Sequence, residues 1–120
     1  MTNLEFKTML EKRTTDFSVA VLGLFPHLPK GPEFANIKDQ LNRSATSVGA
    51  NYREANKAES TADFCHKFAI ASKEMSEAEY WLNILARLAP QVPGIDNVWH
   101  EANELMRLFA KAQATQQRKR

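Results

Sequence analysis

Along most of this chain apolar residues recur at intervals of three and four, the spacing that gathers side chains on one face of an α-helix. Nowhere do they alternate singly, as a half-buried strand requires. The most regular run, Phe64, Phe68, Ala71, Met75, Ala78, Leu82 and Leu85, sustains a heptad-like repeat and predicts a long helix over about 61–89. Ile37, Leu41, Ala45, Val48, Tyr52 and Ala55 predict another over about 33–57, with Pro32 and Glu33 suited to its first turn. Phe17, Ala20, Val21, Leu24 and Phe25 place a helix over about 14–25, and Ile95, Val98, Ala102, Leu105 and Phe109 one over about 95–113. Leu4, Phe6, Met9 and Leu10 keep no clean register, so residues 1–12 read either as a separate turn or as an extension of the first helix. Pro26–Glu33 and Ala89–Gly94 are the proline- and glycine-bearing connections, and Ser60 with Asp63 resembles a capping box opening the third helix. Four helices joined this tightly predict an all-α, antiparallel up-down-up-down four-helix bundle over residues 1–115, followed by a basic tail at 116–120.

Two further rows run beside the main apolar faces. On the second helix Arg43, Ser47, Asn51 and Glu54 form a polar stripe on an unusually small-sided helix that carries Ser44, Ala45, Gly49, Ala50 and Ala55. In an antiparallel hairpin with its turn near residue 59, Arg43 falls opposite Glu74 or Glu77, and either gives an inter-helix ion pair. Arg43, Ser47, Asn51, Glu54, Glu74 and Glu77 thus read as a structural network fixing helix register, with a ligand site as the weaker alternative. Gly23, within the apolar face of the first helix, reads as a mark of close helix–helix approach.

On the third helix Ile70, Glu74, Glu77, Trp81, Ile84 and Leu88 make a second row, apolar at its C-terminal half. A lone bundle of 120 residues would struggle to cover it together with Tyr80, so either the first and fourth helices cover both seams or another subunit does, with Tyr80, Trp81, Ile84 and Leu88 as the candidate subunit interface. Tyr80 and Trp81 near Arg87 could also stack on nucleic-acid bases, but aromatic residues on such a seam pack more often than they bind.

Charge changes the picture only at the C-terminus. The chain of 120 residues carries a net +2, and Arg118, Lys119 and Arg120 supply more than all of it, so the body before them is near neutral. Beyond Glu104 there is no acidic residue, and Arg107 and Lys111 join the terminal triplet as candidate phosphate contacts, against the plainer reading of a solvated tail. A hydrophobic share of 43% and a charged share of 25% fit an ordinary globular domain. A single cysteine, Cys65, requires no oxidising compartment, and no apolar run approaches the about 20 residues of a membrane span, so a cytoplasmic protein is expected.

Catalytic and metal chemistry find little footing. Asp63-x-x-His66 occurs once, where a di-iron bundle needs a pair of Glu-x-x-His motifs; His27 lies in the proline loop and His100 follows Asn97. Adjacent residues on a helix project about 100° apart, so Cys65 and His66 cannot act as nucleophile and base. With only four glycines and no phosphate-binding loop or nucleophile elbow, the expectation is a protein that is not an enzyme and takes no cofactor.

One stretch carries a family resemblance. The run QLNRSATSVGANYREAN from Gln40 to Asn56, then AES with Asp63 and Phe64, then Lys73, Glu74, Glu77, Tyr80, Trp81 and Leu82, resembles bacterial four-helix bundle proteins of the 23S rRNA intervening-sequence type over about half the chain. The resemblance implies a ring-like homopentamer of antiparallel bundles, encoded in ribosomal RNA gene inserts or as free-standing genes. It also implies kinship with the accessory proteins of diversity-generating retroelements, whose basic pentamers bind a reverse transcriptase and nucleic acid. The near-neutral body here departs from that strongly basic branch. The expected function is a self-assembling scaffold that contacts RNA or DNA, or alternatively an accessory subunit for a protein partner such as a reverse transcriptase.

Overall fold

The computed structural model describes residues 1–119, in four helices: α1 (Asn3–Leu24), α2 (Pro32–Asn56), α3 (Thr61–Leu88) and α4 (Ile95–Lys119). A short 3-10 turn, Phe25–His27, follows α1, and no strand occurs among the described residues. The helices pack as a four-helix bundle measuring 46 × 26 × 21 Å. Among the described residues no helix is long and apolar enough to cross a membrane.

Two helices run further than periodicity alone predicts. The first begins at Asn3 because Thr2 and Glu5 form a reciprocal capping box: the Glu5 amide donates to Thr2 Oγ1 at 3.0 Å, and the Thr2 amide donates to Glu5 Oε1 at 3.1 Å. That backbone bond from Thr2, reinforced by the threonine hydroxyl, holds the Glu5 carboxyl below its ordinary range. The apolar register of this first stretch is blurred because its side chains are unevenly covered: Leu4 is exposed, Phe6 borders a cavity, Met9 is half-buried, and only Leu10 is fully covered. At the other end α4 continues past 113 to Lys119. Its Gln- and Ala-rich turns are adequate helix formers, and Gln113 and Gln116 border a hollow together with Cys65 and Ala69 of α3.

The cap of α3 is half of a capping box. Ser60 Oγ accepts from the Asp63 amide at 3.0 Å, while the Asp63 carboxylate turns to Lys67 at 3.1 Å. Gly94, with φ of 85°, makes the turn into α4 in a conformation that L side chains rarely adopt.

The core is drawn from all four helices. Along α2 and α3 the contacts run in opposite order, Arg43 meeting Glu77 and Tyr52 meeting Phe68. Likewise Glu79 meets Trp99 and Phe68 meets Phe109 across α3 and α4. Tyr52, Phe68 and Phe109 form an aromatic trio with centroids 5.1–5.9 Å apart, each almost fully buried.

Small residues bring α1 and α2 together. Ser18 Oγ donates to the Ala45 carbonyl at 2.8 Å, so the serine side chain reaches the neighbouring backbone directly. A Cβ added at Gly49 would lie 3.2 Å from Thr14 Oγ1, which is itself buried and bonded to the Leu10 and Glu11 carbonyls. The close approach therefore falls at Gly49. Gly23, expected to mark it, is exposed with open space where a Cβ would stand, because it faces away from α2. Ala20 and Val19 beside it are exposed as well, which removes Ala20 from the expected core.

The pairing of α1 with α4 is the loosest of the four neighbouring contacts. Arg13 ties the two helices, its Nε donating to Glu101 Oε2 at 3.0 Å and its Nη2 to Glu104 Oε2 at 3.0 Å. Toward the N-terminus of α1 the helices leave a partly open cavity of about 560 Å³.

Candidate functional site

The polar row of α2 resolves into one inter-helix link and several separate groups. Arg43 Nη2 donates to Glu77 Oε1 at 3.1 Å and to Gln40 Oε1 at 3.0 Å, and Trp81 Nε1 donates to the same Glu77 oxygen at 3.3 Å. Of the two acceptors open to Arg43 on sequence grounds, Glu77 is the partner. Arg43 is 58% exposed, so the pair aligns α2 with α3 at a stabilisation of about 1 kcal/mol or less. Asn51 turns back on its own helix, donating from Nδ2 to the Ser47 carbonyl at 2.8 Å. Glu54 is exposed and makes no ion pair among the described residues, and the half-buried Ser47 contributes only its carbonyl to these bonds. Glu74 is half-buried, and its Oε2 is shut from solvent with no hydrogen-bond partner.

Glu74 shares its row on α3 with the apolar residues singled out above. Trp81 and Ile84 are half-buried against the core, whereas Leu88 at 54% and the adjoining Tyr80 at 57% stand exposed. Neither α1 nor α4 covers this row to the degree that the first seam, from Phe68 to Leu85, is covered.

On α4 the basic residues fall into line. Arg107, Lys111 and Arg118 are all exposed, and at spacings of four and seven they occupy an arc of about 40° on the outer face over a length of about 16 Å. Among the described residues none of the three forms an ion pair; Arg118 Nη2 donates only to Thr115 Oγ1 at 3.4 Å. The side chain of Lys119 and the whole of Arg120 lie outside the described residues. The sustained helix turns what reads in sequence as a loose tail into a rigid row of cations.

Sequence reasoning passed over the Arg13 link to Glu101 and Glu104, the Trp99 Nε1 bond to Glu79 Oε2 at 2.8 Å, and the Asn56 Nδ2 bond to Glu11 Oε2 at 2.9 Å. All three join residues far apart in the chain or on different helices, and no local spacing signals them. The bond to Glu101 holds the Arg13 guanidinium even more firmly protonated than usual. Cys65 is buried while His66 is exposed, and among the described residues no group of three or more His, Cys, Asp or Glu could hold a metal ion.

The fold defines the class only as an all-α four-helix bundle, here with a cationic row on α4 and an incompletely covered apolar row on α3, and its relatives place it more closely. A family model described as 23S rRNA-intervening sequence protein matches residues 7–111, and the chain belongs to that family. It is similar to a crystallised protein of unknown function from the S23 ribosomal protein family of Bacteroides thetaiotaomicron VPI-5482, with a TM-score of 0.75 and 32% identity over 87% of this chain and 97% of that one. No curated protein matches the chain.

Proposed function

We propose that this chain is a non-enzymatic, cytoplasmic binding scaffold whose copies assemble as a ring-like homopentamer and contact RNA or DNA through α4. The observation that carries the nucleic-acid reading is the single exposed row of Arg107, Lys111 and Arg118, continued in sequence by Lys119 and Arg120. Cations held on one straight helix neutralise successive phosphates without recognising bases, which is the chemistry of sequence-independent binding. The family's association with ribosomal RNA inserts supports the same reading.

The opposed order of contacts between successive helices supports an antiparallel up-down-up-down course. Self-assembly rests on the α3 row: Tyr80 and Leu88 are exposed, Trp81 and Ile84 are incompletely covered, and Glu74 on the same row has a partnerless oxygen.

The test is a salt titration of binding to a short RNA and to a DNA duplex. Replacing Arg107, Lys111 and Arg118 together with Gln is expected to lower the slope of log K against log salt by about 2 to 3, since each phosphate contact contributes about 0.7 to 0.9. Affinity that ignores salt, or a slope unchanged by the triple substitution, would sink the nucleic-acid reading, and light scattering that finds only monomers at micromolar concentration would sink the pentamer. The exposed Tyr80 and Leu88 equally suit a different protein, such as a reverse transcriptase. Recovery of a stoichiometric protein partner without nucleic acid would favour that second reading.

A further inference from the structure

The cavity between the N-terminal half of α1 and the C-terminal half of α4 shares only Lys111 with the roles above. Its volume of about 560 Å³ lies within the range of small-molecule sites. Tyr52 and Phe68, buried in the aromatic trio, form its floor, while half-buried Phe6, Phe64 and Leu108 form its walls. Phe64 lies against Phe68 with ring centroids 5.7 Å apart and an interplanar angle of 27°, so two stacked rings contribute to the cavity lining.

Among the described residues no carboxylate lines this space. Two lysines do, Lys7 from α1 and Lys111 from α4, and neither has a carboxylate partner among the described residues. Glu11, whose Oε2 accepts from the cavity-lining Asn56, is also paired with Arg53. Burial raises the Tyr52 pKa, partly offset by the Asn56 hydrogen bond and reinforced by the charge of Glu11, so the phenol stays neutral and the floor adds no charge. An apolar hollow with two unpaired cations matches a ligand with an apolar body and one negative end.

We propose that this cavity binds a small amphipathic monoanion, a medium-chain or aromatic carboxylate, with its apolar body on Phe6, Phe64 and Tyr52 and its carboxylate between Lys7 and Lys111. The site is independent of the proposed assembly and of most of the α4 row, sharing only Lys111 with the latter.

Isothermal titration of the intact protein with hexanoate, octanoate and decanoate, below their micelle concentrations, tests it. Affinity is expected to rise about 4-fold per added methylene while the cavity has room. Decanamide is expected to bind about 5-fold more weakly than decanoate, and Lys7→Gln with Lys111→Gln to erase that preference, each exposed ion pair contributing up to about 5-fold. Ala112→Phe, which places a ring inside the cavity, is expected to abolish binding while leaving oligomer mass and helix content unchanged. The lysine pair lies at accessible positions and tests the site even if Ala112→Phe disturbs folding. Equal binding of decanoate, decanamide and decyltrimethylammonium overturns the proposal, as does the absence of saturable binding or a folded Ala112→Phe variant that still binds. If Ala112→Phe dissociates the oligomer, a second copy of the chain occupies the groove and the proposal also fails.

Discussion

The side of the bundle where α1 meets α2 and the side where α1 meets α4 use the same helix in opposite ways. Toward α2, Thr14 and Ser18 press on Gly49 and the Ala45 backbone, and nothing but small side chains would fit. Toward α4, the ion pairs of Arg13 hold two helices that otherwise stand apart and leave room for a ligand-sized cavity. Close packing through small residues fixes geometry at the cost of space, whereas long charged side chains fix it while preserving space. One amphipathic helix therefore serves as both a rigid and an open wall.

That contrast is sharpest in the size of truncation effects. Leu41, fully buried on α2, is expected to cost about 2–5 kcal/mol when changed to Ala, because the void cannot collapse between closely packed helices. Phe6→Ala, though it removes a larger side chain, is expected to cost about 1 kcal/mol, since the half-buried ring already borders open space. Urea unfolding of the two variants compares them directly, and equal losses would erase the distinction between the walls.

The glycines give a smaller effect with a change of sign. Gly49→Ala gains helix propensity but forces its Cβ against a Thr14 hydroxyl that is tied to two carbonyls, so a net loss of about 1 kcal/mol is expected. Gly23→Ala meets nothing and is expected to stabilise by about 0.5–1 kcal/mol. Thermal midpoints moving in the same direction for both would show that α1 is no more tightly held at Gly49 than at Gly23.

The smallest effect appears only in alkali. Burial raises the Tyr52 pKa above its ordinary value of 10.0, so the folded protein holds this proton more tightly than the unfolded chain does. Its contribution is fully present below pH about 10 and is lost as pH rises through the folded-state pKa. Tyr52→Phe is expected to flatten that alkaline decline in unfolding free energy, and an unchanged profile would remove Tyr52 from the titration.

Much of this architecture is legible in the chain. The spacing of Phe68, Ala71, Met75, Ala78, Leu82 and Leu85 dictates the buried face of α3, and each of them is at most 1% exposed. The proximity of Arg43 to residue 77 follows from the tight turn between α2 and α3 and the opposite order of their contacts. What stayed hidden depends on relations that periodicity does not encode. The capping box of Thr2 and Glu5 is present in the sequence, but the mixed exposure of Leu4, Phe6 and Met9 masks the helix it starts. The cavity arises from an interval between two helices, and the basic row of α4 becomes visible only when the helix is known to persist to Lys119. The role of Gly23 could not be judged without knowing which side of α1 meets α2.

The first turns of α1 are held differently from the rest of the helix. From Leu10 onward the helix shares the buried core and Glu11 is tied to Arg53 and Asn56 of α2, while the turns before Leu10 are secured by one terminal cap and partly covered side chains. In the language of native-state opening, those first turns form the least protected segment of the helix, able to swing away without breaching the aromatic trio. The capping box then acts as a latch on the cavity's outer wall, with buried Leu10 and the bonds of Glu11 to α2 as the point beyond which opening stops.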